Sequence, residues 1–384
     1  MAATPPPDAG VSCRADDFDY VCPPELIAQH PTADRGASRL LVLGRDGGAV
    51  RHQRFQDFPQ LLEPGDVLVL NTSRVIPARL IGRRDNGRPA EVLLVHPEPD
   101  GTWLAMVHPG GKLKAGRRIA LGVGATHAVI DAGATHASPV TAEAAAIEIV
   151  GVVGGGLRRV RFHGMDAREA MGAFGAVPLP PYIHHRPDAD DRERYQTVYA
   201  RQDGSVAAPT AGLHFTPGIL DAVRARGVAV AEVVLHVGPG TFKPVEVPDL
   251  RDHVMHAEWY EISEEAAATI NGARAAGGRV WAVGTTSVRV LETAARSALT
   301  ALPALAAASA GAVAAGSGWT DIFIYPPYTF RAVDALLTNF HLPRSTLLML
   351  VAAFAGREAT LRAYAEAIRE GYRLYSYGDA MAVV

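Results

Sequence analysis

Residues 205–260 combine ordinary α/β elements with loops of unusual composition. Thr216 can cap a helix that Pro217 opens and Gly227 ends. Residues 228–237 then form a mostly apolar, β-branched run, typical of a strand buried on both faces. The flanking loops are rich in glycine and histidine, which packing does not require; they span residues 207–215, 235–242 and 253–258. Because α/β proteins place their sites at the carboxyl ends of strands, we expect a site on these loops.

The pattern of strand, polar loop and helix recurs twice further along the chain. Residues 279–283 predict a strand that ends in the loop at 284–287, with a helix beginning near residue 288. Residues 334–337 predict another strand, which ends in the polar loop at 338–345. The last segment, residues 372–381, is predicted to be a strand with a polar tip. Together these elements favour an α/β fold.

Residues 62–161 have a different sequence pattern from the rest of the chain. Short strand-like runs alternate there with Gly/Pro turns and show no helical period, which predicts a small all-β, barrel-like domain. We therefore expect a larger α/β domain, residues 1–61 plus 162–384, with this small domain inserted into it. Residues 1–9 are predicted to be a disordered tail, and the alanine-rich residues 294–318 a helix extension plus a flexible surface loop.

Charge and composition exclude several classes of protein. The net charge of −3 argues against a generally basic nucleic-acid binder. Residues 62–161 nevertheless contain 12 Lys/Arg and 9 Asp/Glu, which indicates either a solvated face or a footprint for a phosphate backbone. Cys13 and Cys22 form no C-x-x-C pair, so a reducing cytoplasm is expected. No apolar run approaches the roughly 20 residues that cross a bilayer, so no membrane partner is expected.

Several polar groups can carry chemistry, each with a structural alternative. The tip at 284–287 can bind phosphate, carboxylate or ribose hydroxyls, or can cap a buried helix. His253, His256 and Glu258 suggest either a metal site or proton transfer without metal. Asp379 can bind a cationic group or a base edge, or can close a turn. The residues alone thus indicate a cytoplasmic α/β enzyme acting on a polar, nucleoside-like substrate, without naming the reaction.

Motifs along nearly the whole chain resemble the S-adenosylmethionine:tRNA ribosyltransferase-isomerase family of queuosine biosynthesis. They occur in order at residues 74–80, 178–183, 205–215, 235–242, 253–256, 282–289, 322–326, 338–343 and 376–381. The resemblance implies a transferase that moves and isomerises the ribosyl part of S-adenosyl-L-methionine onto 7-aminomethyl-7-deazaguanine. That base lies at the wobble position of a tRNA, and the products are epoxyqueuosine-tRNA, adenine and methionine. It also implies the α/β fold with an inserted β-barrel, no metal and no membrane; we expect a monomer.

The resemblance also distributes roles over the polar residues. His214, His236 and His256 are the candidates for proton transfer, with Glu258 orienting one of them and Asp379 reading the deazaguanine edge or holding its amine. The residues expected to bind S-adenosylmethionine are Gly238, Gly240, Thr241, Gly284, Thr285, Thr286, Ser287 and Arg289. The residues expected to contact the base or the tRNA are Arg74, Arg79, Arg83, Arg84, Thr210, Asn339, His341, Tyr375 and Tyr377.

Two other functions remain open from the sequence. One is a metal-dependent hydrolase that uses His253, His256 and Glu258, and the other is a non-catalytic RNA-binding paralogue. The metal content of the purified protein distinguishes the first, and release of adenine from S-adenosylmethionine distinguishes the second.

Overall fold

The computed structural model describes residues 13–45, 48–122, 145–154, 156–301 and 311–384. The predicted tail at residues 1–9 lies outside these ranges, as does the 302–310 part of the alanine-rich segment. Strands β1–β18 span Arg39–Leu43, Val50–Arg54, Val67–Asn71, Ser73–Val75, Arg79–Arg84, Pro89–Pro97, Trp103–His108, Arg118–Leu121, Ala146–Gly154, Leu157–His163, Gly175–Ala176, Gln202–Ser205, Ala229–Leu235, Glu258–Ile262, Val280–Val283, Gly316–Thr320, Ala335–Asn339 and Ala380–Val383. Helices α1–α7 span Ala167–Phe174, Ala189–Arg194, Pro217–Ala225, Glu264–Ala275, Gly284–Ala301, Thr346–Ala355 and Arg357–Arg369.

A mixed nine-stranded sheet forms the centre of the fold. Its order is β16-β14-β13-β3-β15-β17-β18-β1-β2, and β13, β3, β15 and β17 run parallel to one another. Strand β3 shows why these strands are apolar throughout. Val67 and Val69 enter the core beneath α4 and α5, whereas Leu68 and Leu70 pack on the other face with Phe55 and Phe58. Helices thus cover both faces of the parallel strands, and only the strand ends are available for a site.

A second sheet is antiparallel and closes on itself. Its order is β11-β5-β6-β7-β10-β9-β8, and an additional pairing of β5 with β8 completes the ring. Apolar side chains fill its interior, among them Leu80, Val92, Ile147 and Val160, all fully buried. At the closing seam a Cβ on Gly82 would meet the Ala120 carbonyl oxygen at 2.5 Å, so the two strands can approach only because residue 82 has no side chain.

The helix predicted after Thr216 is confirmed. The Thr216 hydroxyl accepts a hydrogen bond from the Ile219 N–H at 3.2 Å, Pro217 occupies the first turn, and Gly227 has a φ of +76°. The strand predicted over residues 228–237 is confirmed as β13. The helix expected from residue 288 instead begins at Gly284, so the glycine-threonine tip is the first turn of α5.

Two predicted elements were wrong in part. Within residues 372–379 Leu374 forms an isolated bridge to Ile27 and residues 375–378 form a turn, and only Ala380–Val383 is a strand. The turn is closed because the Gly378 N–H donates to the Tyr375 carbonyl at 3.0 Å and the Asp379 carboxylate accepts from the Arg373 N–H at 2.9 Å. In the alanine-rich segment, α5 does continue to Ala301, but Gly316–Thr320 is strand β16 because it pairs with β14.

Asp66, just before β3, ties that strand to β15 and predicts a stability effect. Its buried carboxylate accepts from the Arg279 N–H at 2.9 Å, the Arg279 guanidinium at 2.8 Å and the Trp281 indole at 3.1 Å. Burial opposes ionisation, but the bonds from Arg279 outweigh it and lower the pKa of Asp66. We expect Asp66→Ala to reduce the free energy of unfolding by about 2–4 kcal/mol in urea titrations.

The matched control is Asp221→Ala, which removes a carboxylate that is 74% exposed and paired with Arg224. We expect a change of less than about 0.5 kcal/mol there. Equal losses in the two variants would contradict a structural role for Asp66.

Candidate functional site

A cleft lies at the edge of the nine-stranded sheet where the parallel strands end. The loop after β13, the first turn of α5 after β15 and the end of β17 all reach it. The turn before β18 reaches it too, because β18 is antiparallel to β17 and Ala380 pairs with Asn339. The cleft encloses about 610 Å³ of empty space, including the part open to solvent. This is the edge that strand topology assigns to ligands.

The cleft wall is aromatic, hydroxylated and uncharged. Among the described residues that line it, no Lys, Arg, Asp or Glu occurs. The lining is Tyr182, Ala207, Ala208, Pro209, Thr210, Ala211, Val237, Thr241, Phe242, Gly284, Thr285, Thr286, Thr338, Asn339, Phe340, His341, Leu342, Ser345, Leu347, Tyr375 and Ser376. Eight of the residues predicted from the sequence to bind ligand therefore lie together in it: Thr210, Thr241, Gly284, Thr285, Thr286, Asn339, His341 and Tyr375.

The first turn of α5 offers backbone N–H groups and hydroxyls to the cleft. Gly284 has a φ of +84°, which allows β15 to turn directly into the helix. The Thr286 Oγ1 atom is buried and has no hydrogen-bond partner among the described residues. Ser287 was expected to bind ligand as well, but its hydroxyl donates to the Val283 carbonyl at 2.8 Å and lies within the fold. Thr285 and Thr286 are thus the hydroxyl residues of this turn that line the cleft.

Asn339 lines the cleft at the end of β17, and its side chain is hydrogen-bonded to His214. The Asn339 amide donates to His214 Nε2 at 3.2 Å and to the Tyr375 carbonyl at 3.2 Å. The opposite ring nitrogen, Nδ1, is 3.0 Å from the Ser38 hydroxyl. Burial lowers the pKa of His214 to about 3, so the imidazole is neutral near pH 7. His214 is thus bonded to Asn339 and is not among the described residues that line the cleft, and its expected role in proton transfer remains a prediction.

His341 is the histidine among the described lining residues. Its Nε2 atom is 2.7 Å from the Thr338 hydroxyl, and its backbone N–H donates to the Tyr364 hydroxyl at 2.9 Å. Burial lowers the pKa of His341 to about 3. The ring therefore offers a neutral nitrogen, not a cation, to anything bound in the cleft.

His236 and His256 lie outside the cleft wall. His236 Nδ1 is 2.7 Å from the Ser73 hydroxyl, which is 2.6 Å from the Ser205 hydroxyl. Burial lowers the pKa of His236. His256 is exposed and packs over Gly240, where a Cβ would meet the ring at 2.9 Å. Their predicted roles in proton transfer remain predictions.

Glu258 and Arg289 form a buried ion pair with each other. Glu258 also accepts from the Gly238 N–H at 2.7 Å, and Arg289 donates to the carbonyls of Ile322 and Thr320. Both side chains are therefore bonded within the fold, and their expected roles, Glu258 orienting a histidine and Arg289 binding S-adenosylmethionine, remain predictions. Through Gly238 the pair holds the loop after β13, whose residues Val237, Thr241 and Phe242 line the cleft.

Asp379 and Tyr377 are structural as well. Asp379 accepts from the Arg39 N–H at 2.9 Å and the Arg39 guanidinium at 3.3 Å, in addition to the Arg373 bond described above. Tyr377 donates to Asp191 at 2.6 Å and packs edge-on against Tyr195. Neither residue is among the described residues that line the cleft, and their expected contacts with a base remain predictions.

The arginines predicted to contact tRNA lie on or beside the closed sheet. Arg74, on β4, is 3.9 Å from Asp203, and Arg79 is 3.2 Å from Glu91. Arg83 donates to the Gly87 carbonyl at 2.8 Å, and Arg84 stands next to it at the end of β5. None of them reaches the cleft wall among the described residues.

The metal reading of His253, His256 and Glu258 is not favoured. In the part of the chain that the structure describes, the group of side chains close enough to share an ion is His185, Asp188 and Asp191. Glu258 is committed to Arg289, and the His253 ring packs against Phe323.

Several lining residues were given no individual role from the sequence. Tyr182 and Ser376 lie in the motifs at 178–183 and 376–381, and a bond of 2.7 Å joins their hydroxyls across 194 positions of the chain. Phe242 directly follows the glycine-rich loop, and this position in the sequence could have indicated a site residue. Ser345 and Leu347 enter the cleft at the start of α6, where their type gives no indication of a site.

The fold and cleft define an α/β protein with a ligand site at the carboxyl ends of its parallel strands. Residues 15–383 match the family model described as queuosine biosynthesis protein. The S-adenosylmethionine:tRNA ribosyltransferase-isomerase of Moorella thermoacetica is 50% identical over 374 residues, 97% of this chain and 100% of the relative. The enzyme of the same name from Symbiobacterium thermophilum is 49% identical over 373 residues, 97% and 100% of the two chains. The chain belongs to the queuosine biosynthesis protein family.

A solved structure is similar as well. The crystal structure of an S-adenosylmethionine tRNA ribosyltransferase from Thermotoga maritima is 36% identical, covers 96% of this chain and 100% of its own, and has a TM-score of 0.50. Separately, the described helices include none that is long and apolar enough to cross a membrane.

The two buried histidines predict a pH-dependent stability. Because their folded-state pKa values of about 3 lie below the unfolded value of about 6.5, the unfolded chain binds more protons below pH 6.5. The contribution of the two histidines to the free energy of unfolding is complete above pH 6.5. It is lost as the pH falls towards 3, by up to about 1.4 kcal/mol per pH unit for each histidine. We expect His341→Gln to flatten this dependence in urea unfolding between pH 8 and 5.

Above pH 7.5 the plots of unfolding free energy against pH for the wild type and His341→Gln should run parallel, which provides the internal control. Parallel curves throughout the acidic range would show that His341 titrates normally in the folded protein.

Proposed function

We propose that this protein transfers and isomerises the ribosyl group of S-adenosyl-L-methionine onto 7-aminomethyl-7-deazaguanine in tRNA, releasing adenine and methionine. Family membership and the names of relatives that are 49–50% identical support this reaction. The observation in the structure that carries it is the uncharged, aromatic cleft at the carboxyl ends of the parallel strands. A sulfonium ion is a cation, and aromatic faces attract cations without the repulsion that Lys or Arg would add.

Each part of the cleft wall suits a different part of S-adenosylmethionine. Tyr182, Phe242 and Tyr375 supply aromatic surface for the sulfonium or for adenine. The first turn of α5, with Thr285 and Thr286, supplies N–H and hydroxyl donors for the methionine carboxylate or for ribose. A helix amino terminus also favours a negative group electrostatically.

His341 is the histidine among the described residues of the cleft wall and our candidate to accept a proton, although its lowered pKa makes it a weak base. The sulfonium acidifies the C5′ hydrogens of the ribose, and a neutral imidazole can take one of them. Burial keeps this ring uncharged, so it does not repel the bound cation. His236, which lies beyond Val237, is the second candidate.

We infer that the closed sheet is a small inserted domain and that it contacts tRNA. The ring of strands within residues 79–163, its own apolar core and the excess of Lys/Arg over residues 62–161 support this division. The anticodon base must leave its stack to enter the cleft, so an RNA surface beside the cleft is needed. We expect a protein with this substrate to act in the cytoplasm and to need no metal.

Thr286→Val tests the assignment of the cleft. Valine has the same shape but lacks the unpartnered hydroxyl, so we expect S-adenosylmethionine to bind about tenfold more weakly, with the fold intact. Calorimetric titration measures the affinity, and chromatography measures adenine released in the presence of tRNA that carries the modified base. Thr269→Val is the control, because it removes a half-buried hydroxyl of α4 that already donates to the Glu265 carbonyl at 2.9 Å. Absence of adenine from the wild-type reaction would refute the proposed function.

Salt dependence tests the role of the closed sheet. If Arg83 and Arg84 contact phosphates, replacing both by Ala lowers the slope of log affinity against log salt concentration by about 1–2, because fewer counterions are released. Filter binding of tRNA between low and physiological salt measures it. Arg362→Ala removes a 64% exposed arginine side chain from α7 and should leave the slope unchanged. A slope unaffected by the double variant would remove these arginines from the interface.

A further inference from the structure

Two tryptophans, one exposed and one half-buried, form a pair on one margin of the nine-stranded sheet. Trp259 on β14 and Trp319 on β16 are direct partners in the antiparallel register, and their ring centroids are 5.9 Å apart at 73°. Glu258 and Tyr260, the neighbours of Trp259 along the strand, are buried, so the tryptophans lie on the opposite face. Trp319 is 52% exposed. A tryptophan with half its surface in water, backed by a second one, indicates a binding surface.

A histidine of the closed sheet completes this aromatic surface. The His96 ring on β6 lies 5.0 Å from the Trp319 ring at 55°, so the surface bridges the two sheets. His96 is held by Glu98 at 3.3 Å, and Glu98 is 3.6 Å from the Arg159 guanidinium. Because His96 and Arg159 both pair with Leu104, the strand register sets these side chains along one line. We name Trp259, Trp319 and His96 the aromatic platform.

The platform lies at the same edge of the nine-stranded sheet as the cleft. The His236 N–H donates to the Trp259 carbonyl at 2.9 Å, so Trp259 is beside the carboxyl end of β13. The next residue, Val237, lines the cleft, and Glu258 holds Gly238 in place. The platform and the cleft therefore share one edge of the sheet.

We propose that the aromatic platform stacks an unpaired base of the RNA, next to the base that enters the cleft. Every nucleobase presents a flat π face, and aromatic side chains bind it without regard to sequence. Arg159, whose side chain is 44% exposed, is placed to attract the phosphate of that nucleotide. The Lys/Arg excess of residues 62–161 favours a polyanionic partner such as RNA, and the aromatic rings favour a nucleobase. The inference rests on the proposed function, since it assumes an RNA substrate.

The test uses the full-length protein and a short RNA hairpin that carries the substrate anticodon loop. We expect Trp319→Ala to weaken RNA binding about tenfold or more, and Trp319→Phe, which keeps an aromatic face, to weaken it less than about threefold. Stacking on Trp319 should also quench part of the tryptophan fluorescence of the wild type, and this part should be missing in Trp319→Ala. Affinity for S-adenosylmethionine should be unchanged in both variants. Leu299→Ala, which removes an apolar side chain that is 44% exposed on α5, is the control.

Each other outcome overturns the proposal in a recognisable way. If Trp319→Ala binds the hairpin as tightly as the wild type while adenine is still released from full tRNA, the platform is refuted and the proposed function stands. If ultracentrifugation shows a wild-type dimer that Trp319→Ala dissociates, with RNA affinity unchanged, the surface is an interface between copies. If the wild type neither binds RNA nor releases adenine, both the platform and the proposed function are refuted.

Discussion

The burial of both faces of four parallel strands is the constraint on which the rest of the structure depends. Strands β13, β3, β15 and β17 are covered by helices on one face and by the Phe55–Phe58 cluster with α3 on the other. Once both faces are closed, backbone groups meet solvent only where the strands end. The cleft, its N–H donors and its hydroxyls all lie at that edge. Even the buried pair of Glu258 and Arg289 acts there, because it fixes the loop that follows β13.

Local signals predicted much of the fold. Thr216, Pro217 and Gly227 determined one helix, and alternating short runs with Gly/Pro turns predicted the strands of the closed sheet. The turn at residues 372–379 was missed because it depends on Asp379, whose partners include Arg39, distant along the chain. Strand β16 was missed because Gly316–Thr320 has little strand propensity of its own and is held by pairing with β14.

The site was predictable in position but less so in chemistry. Loop composition located the tips that meet at the cleft, yet residue type could not tell a ligand contact from a buried bond. His214 and His341 are separated by 127 positions, and both are buried, but only His341 lines the cleft. Arg289 and Glu258 each looked suited to a ligand until their mutual contact was known. Such contacts form only in the folded chain, and a single sequence shows the two residues without showing that they meet.

Strand order also determines when parts of the nine-stranded sheet can form during synthesis. Strands β1 and β2, made early, join the nine-stranded sheet only through β18, which spans Ala380–Val383 and lies between β17 and β1. At the usual elongation rate of about 5–20 residues per second, β18 is synthesised roughly 16–65 s after β2. During that interval the edge of β1 is unpaired and open to other chains. Until β18 is made, β1 and β2 lack the strand that joins them to the rest of the sheet.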